Sequence, residues 1–125
     1  MATVLVVDDD HDLCDALREL CEDEGFRAFG AYDPLEALSI SERESIDVVL
    51  SDLNMPVMSG LQLCERLAAL GGATLFVLTS TSRPREWPSE RPFLTKPIDF
   101  DRLVRLVRHG ATGPLAWPRS DLSGP

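Results

Sequence analysis

The chain has 125 residues, the size of one ordinary domain, and its 44% hydrophobic content is enough for a packed core, which argues against disorder throughout. No apolar run approaches the roughly 20 residues of a membrane span. The formal charge of −9 is uneven: residues 1–60 carry 15 acids and 3 bases, a net of −12, while residues 61–125 carry 6 acids and 9 bases, a net of +3. An acidic half argues against direct binding to nucleic acid or to an anionic membrane and suits a cation site, although most such carboxylates are ordinary solvated surface.

Met1-Ala2-Thr3-Val4 has no basic region and no cleavage-site pattern, so a cytoplasmic protein is expected. Thr3-Val4-Leu5-Val6-Val7 is short, β-branched and apolar without alternation, the mark of a strand buried on both faces of a parallel sheet. Asp8-Asp9-Asp10 ends it. A helix follows with Leu13, Ala16, Leu17, Leu20 and Cys21 on one face, capped by Asp10 or Asp12 and stopped by Gly25. Phe26 to Gly30 is a weak second strand. Asp33-Pro34 opens a second helix, with Leu35, Leu38 and Ile40 facing inward.

Ile46 to Ser51 is a third strand that ends at Asp52. Asn54-Met55-Pro56 and Gly60 mark a loop, and a third helix runs from about Leu61 to Leu70 before Gly71-Gly72. Leu75-Phe76-Val77-Leu78 is a fourth buried strand, followed by Thr79-Ser80-Thr81-Ser82. Phe93-Leu94-Thr95 is a short fifth strand before Lys96-Pro97, and the last helix spans roughly Asp99 to Arg108, with Leu103, Leu106 and Val107 apolar. Residues 110–125, rich in Gly, Pro and Ser, read as a flexible tail on a domain of residues 1–109, with Leu115 and Trp117 as its apolar points. Cys14, Cys21 and Cys64 are odd in number and unpaired in spacing, so buried free thiols are expected rather than disulfides or a zinc site.

Strand and helix alternate throughout, which predicts an α/β fold with a parallel sheet and helices on both faces. Sites in such sheets form beyond the carboxyl ends of the strands. The unusual polar residues stand there: Asp8, Asp9 and Asp10 after strand one, Asp52 after strand three, Thr79 and Ser80 after strand four, Lys96 after strand five. Crowded carboxylates need a cation, and hard, partly hydrated oxygen ligands suit Mg2+. A cation beside Asp52 would orient the carboxylate as a nucleophile and neutralise incoming phosphoryl oxygens, with Lys96 and the Thr79 hydroxyl aimed at the same oxygens. Lys96 is the only lysine; the other 11 bases are arginines.

From Val4 to about Val107 the chain resembles the response-regulator receiver family. The matching pieces are Val4 to Asp10, Asp52-Leu53-Asn54-Met55-Pro56 with Met58 and Gly60, Leu78-Thr79-Ser80, and Lys96-Pro97. Each is weak alone; their order and intervals are specific. The resemblance implies a three-layer, flavodoxin-like fold with strand order 2-1-3-4-5, in a bacterial two-component system. Asp52 would accept a phosphoryl group from a phosphohistidine on a histidine kinase or phosphotransfer protein. Asp9 and Asp52 would bind Mg2+ directly, Asp8 through water and Asn54 through its backbone carbonyl. Thr79 and Lys96 would contact the phosphoryl group, and Thr79 with Phe93 would form a switch pair acting on a downstream protein target. The domain would catalyse only its own phosphorylation and dephosphorylation, and so is not counted an enzyme.

The sequence departs from the family between Thr79 and Lys96. That interval is 17 positions, where receivers have about five more for a fourth helix. Three prolines in the nine residues Pro84 to Pro92 forbid a regular helix, so helix 4 is expected to be absent or reduced to a turn. The family's phosphorylation-driven dimer uses that surface and is not carried over; a monomer is favoured.

Plainer readings stand beside these. Asp8 or Asp9 is a helix cap, Ser80 and Thr81 are turn residues near the site, and Phe93 is core first. Arg102, Arg105 and Arg108 form a solvated stripe. Trp87 is either an exposed anchor or a plug for the missing helix. Two other functions compete: a receiver-like interaction module that is never phosphorylated, and an aspartyl phosphatase of the haloacid dehalogenase type using Asp8 and Asp10, which leaves Asp52 to Pro56 unexplained.

Overall fold

A computed structural model describes residues 1–71, 74–85, 87 and 92–110. The elements are β1 (Thr3–Val7), α1 (His11–Asp23), β2 (Arg27–Ala31), α2 (Pro34–Arg43), β3 (Val48–Asp52), α3 (Gly60–Ala68), β4 (Leu75–Ser80), β5 (Phe93–Thr95) and α4 (Phe100–Gly110). The strands form one sheet in the order β2-β1-β3-β4-β5, every pairing parallel. The expected fold is therefore the observed one. The 110–125 tail, Leu115 and Trp117 included, lies outside the described residues, apart from the backbone of Gly110 that ends α4.

Strand alternation sorts the core into two layers. Leu5, Val7, Val49, Phe76, Leu78 and Phe93 pack with α2 and α3, where Ala37, Ile40, Leu63, Cys64 and Leu67 are buried. Val4, Val6, Val48, Leu50, Leu75, Val77 and Leu94 pack with α1 and α4, through Cys14, Leu17, Cys21, Leu103 and Val107. All five residues of β1 and of β3 are buried. Complete burial of such Val and Leu side chains stabilises the fold by roughly 1.5–3 kcal/mol each.

Local signals set the helix starts. Asp10 accepts from the Leu13 N–H at 3.2 Å and caps α1; Asp33 accepts from the Glu36 N–H at 2.8 Å before Pro34 in α2. Ser59 and Gln62 form a reciprocal capping box on α3. Gly25 and Gly71, just past α1 and α3, both have φ of 91°, a conformation that favours glycine. Arg108 pairs with Glu24 at 3.3 Å and lies over the Phe26 ring, tying α4 to the end of α1; Arg102 and Arg105 are exposed.

Several expectations need correction. Strand two begins at Arg27, one residue later than read, because the Arg27 N–H pairs with the Ala2 carbonyl. Strand three begins at Val48 rather than Ile46. On α1, Ala16 and Leu20 are exposed, and the buried stripe is Cys14, Leu17 and Cys21. On α2, Leu35 is 62% exposed and Ala37 takes the inward place. In each helix the apolar residues cover a wider arc than the sheet does. Among the described residues between β4 and β5 no helix occurs; residues 86 and 88–91, on which the expectation of a reduced helix 4 falls, lie outside the described residues. Trp87 is a plug: it is half-buried and packed on the α2/α3-side core. All three cysteines are free and buried. Among the described residues no helix is long and apolar enough to cross a membrane.

Candidate acidic site at the carboxyl edge of the sheet

The alternation that sorts the core also builds the site. Asp8 follows Val4 and Val6, Asp52 follows Val48 and Leu50, Thr79 follows Leu75 and Val77, and Lys96 follows Leu94, each two residues on from a side chain in the α1/α4 layer. In register, Asp52 stands beside Thr79. The ladder continues past the strand ends to hold the backbone: Asp8 N–H donates to Ala31 O at 3.1 Å, Leu53 N–H to Thr79 O at 2.8 Å and Lys96 N–H to Ser80 O at 2.8 Å. The Lys96–Pro97 peptide is cis.

The side chains converge. Lys96 Nζ donates to Asp8 Oδ2 at 3.0 Å and lies 3.6 Å from Asp52 Oδ2. Asp8 is only 2% exposed, Asp52 8% and Thr79 1%. Carboxylate oxygens of Asp8, Asp9 and Asp52 all fall within 4.8 Å of one another, the one such acidic group among the described residues. Asp8 Oδ1 accepts from the Asp10 N–H at 2.9 Å, and Asp52 Oδ1 from the Asn54 N–H at 3.4 Å. The Asn54 amide donates to the buried Ser80 hydroxyl at 3.1 Å, a contact that composition and spacing do not reveal.

Burial pushes the Asp52 carboxyl above its ordinary range; the Lys96 charge opposes this, and Asp8 and Asp9 reinforce it. Burial would lower Lys96, but its hydrogen bond to Asp8 and the charges of Asp8 and Asp52 outweigh it, and the ammonium is held more firmly than usual. The rim is thus short of positive charge. Three hard oxygen donors, one exposed and two buried, match a small, partly hydrated divalent cation.

Gly60 is needed beside the site. Its N–H donates to Leu53 O at 2.8 Å, and a Cβ there would overlap the Asp52 carbonyl oxygen. Asp10 is outside the site, since its side chain caps α1; a DxD pair made by Asp8 and Asp10 is therefore not assembled. Thr81 is exposed. Phe93 is on the opposite face from Thr79: its register partner is Leu78, whereas Thr79 pairs with Leu94. Beside Lys96, the exposed strip of α1 and the segment leading into α4 border an apolar groove of about 510 Å³, lined by Leu13, Ala16, Leu20, Pro97 and Ile98 among others. A cleft of similar volume by Ser41, Glu44 and Asp47 contains none of the site residues.

The family model described as response regulator receiver domain matches residues 4–108. The chain is 41% identical over 113 residues to an uncharacterized 14.6 kDa protein of Leptolyngbya boryana, covering 84% of this chain and 86% of that one. It is 39% identical to the sensory transduction protein RegX3 of Mycolicibacterium smegmatis, covering 86% of this chain but only 50% of that protein. Among solved structures, the Vibrio cholerae chemotaxis protein CheY4 superposes with a TM-score of 0.78 at 26% identity, covering 86% of this chain and 97% of that one. The receiver domain of the hybrid histidine kinase CckA gives 0.76 at 26% identity, covering 89% and 100%. The chain belongs to the response regulator receiver domain family, a signalling family of two-component systems.

Proposed function

We propose that the chain is the phosphoryl-accepting receiver of a two-component or phosphorelay system, with Asp52 as acceptor. The observation that carries this is the convergence of Asp8, Asp9, Asp52 and Lys96 at one strand-end rim. An Asp52 carboxylate oxygen attacks the phosphorus of a phosphohistidine. The P–N bond breaks as the O–P bond forms, and the electron pair leaves on the imidazole, giving an acyl phosphate on Asp52. Lys96 neutralises the transferred oxygens, and the Thr79 hydroxyl donates to one of them.

Asp9 and Asp52 would hold Mg2+, with Asp8 as an outer ligand and the Asn54 carbonyl completing the set. When bound, the ion supplies the positive charge that the rim lacks and that the phosphoryl oxygens require. Ser80 and Thr81 border the phosphoryl position, and Asn54 is steadied there by Ser80. The donor is a histidine kinase or phosphotransfer protein. The groove beside Lys96 gives that partner an apolar foothold within reach of Asp52. Thr79 and Phe93 carry the change onward to a downstream protein, Thr79 by drawing β4 toward the phosphoryl group and Phe93 through the Leu78 rung.

Calorimetric titration with Mg2+, then with beryllofluoride in the presence of Mg2+, tests the reading. The parent protein should bind both. Asp9→Asn should lose Mg2+ affinity, and Asp52→Asn should lose beryllofluoride altogether. A parent that binds neither is instead a receiver-like interaction module without phosphoryl chemistry.

A further inference from the structure

Trp87 makes a contact that the chemistry of Asp52 does not need. Its indole packs edge-on against Phe93, with ring centroids 5.4 Å apart and planes at 61°, a favourable aromatic geometry. The Trp87 backbone N–H donates to Pro84 O at 3.1 Å. Phe93 is only 5% exposed, although it lies on a three-residue strand at the edge of the sheet. Trp87 supplies apolar cover to this edge.

The covered ring is one rung from the site. Phe93 pairs in register with Leu78, and the next residue on β4 is Thr79, which pairs with Leu94 and stands beside Asp52. Phe93 and Thr79 thus sit on adjacent rungs of one strand pair, and Trp87 touches the first of them. A Phe93 ring that changes position must break its edge contact with Trp87.

We propose that Trp87 is a regulatory cover: it holds Phe93 in the unphosphorylated state, and phosphoryl occupancy of Asp52 loosens the pair. This rests on the phosphoryl-acceptor reading above. A contact formed in only one of two states biases the equilibrium between them, and the bias is reciprocal. Trp87 emission therefore responds to occupancy, and removing the indole favours the occupied state.

The chain has two tryptophans, so a Trp117→Phe background isolates Trp87. In that background, Trp87 emission is followed during incubation with acetyl phosphate or beryllofluoride and Mg2+, while intact mass or calorimetry measures occupancy. The expected result is an emission change that tracks occupancy, is absent in Asp52→Asn, and is lost in Phe93→Leu compared at equal occupancy. Trp87→Leu should bind beryllofluoride about fivefold or more tightly than the parent. A purely structural cover would give unchanged or weaker binding instead. Full occupancy with unchanged Trp87 emission overturns the inference and leaves the Asp52 chemistry standing. If neither probe occupies the site, the acceptor reading itself fails, and the inference with it.

Discussion

Replacing Gly60 by Ala sets two effects against each other, and the structure decides the sign. Gly60 is the first residue of α3, where alanine as the better helix former would add up to about 1 kcal/mol in an interior position and less at a helix end. Against that, the new methyl carbon overlaps the Asp52 carbonyl oxygen and lies 3.0 Å from the Asp52 carbonyl carbon and 3.1 Å from Leu53 Cα. All three are backbone atoms at the end of a fully buried strand, so no side chain can turn aside. Overpacking of this kind costs about 1–3 kcal/mol, and more when backbone must move. Net destabilisation of about 1–3 kcal/mol is expected. Urea unfolding measures it, as a fall of roughly 1 M in midpoint for a domain of this size. Because the displaced atoms belong to Asp52 and Leu53, Mg2+ affinity should fall as well. A Gly60→Ala protein more stable than its parent would refute the close approach, since only the helix gain would then be at work.

Lys96→Met removes the ammonium shared by Asp8 and Asp52, whose side chains are 3% and 10% exposed. In EDTA this should cost about 1–3 kcal/mol, and Mg2+ should recover much of the loss by replacing the charge; equal thermal stability in EDTA would contradict the pairing. Burial holds the Cys14 and Cys21 thiols at about 11 rather than 9.0. The unfolded thiols ionise first, so this stabilisation is complete below pH 9 and is lost as pH rises toward 11. Urea midpoints across that range should fall more steeply in the parent than in Cys21→Ala, and identical slopes would contradict it. Val57 is a β-branched residue at φ 75° and is 87% exposed, so Val57→Asn relieves strain without losing packing. A gain of about 1 kcal/mol is expected, and chemical denaturation showing no gain would count against strain there.

The sheet and its rim were legible in the sequence because β1, β3, β4 and β5 are short apolar runs ending in polar residues of unusual type, while β2 carried only a weak signal. β1 and β5 coincide with their readings residue for residue. The site followed from topology: Asp8 and Lys96 are 88 residues apart in the chain, and only the strand order brings their ends together. Helix faces were less legible. Periodicity identified α1 and α2 as amphipathic but could not say how much of each apolar arc the sheet covers, so Ala16, Leu20 and Leu35 were placed inward and stand exposed. The Ser59–Gln62 capping box has a local pattern, a serine three residues before a glutamine at the start of an apolar run. The Asn54–Ser80 bond joins the loop after β3 to the end of β4 by tertiary packing and has no local signal. The prolines argue against a regular helix between β4 and β5, but nothing local told whether Trp87 would cover Phe93 or stand free.

Phosphorylation of Asp52 is tested most directly by intact mass after incubation with a small phosphodonor, with and without Mg2+, beside Asp52→Asn. The protein should gain one phosphoryl group in a reaction that depends on Mg2+ and is lost in Asp52→Asn. A gain that persists in Asp52→Asn would place the acceptor elsewhere. No gain in the parent, together with no binding of beryllofluoride, would contradict the account.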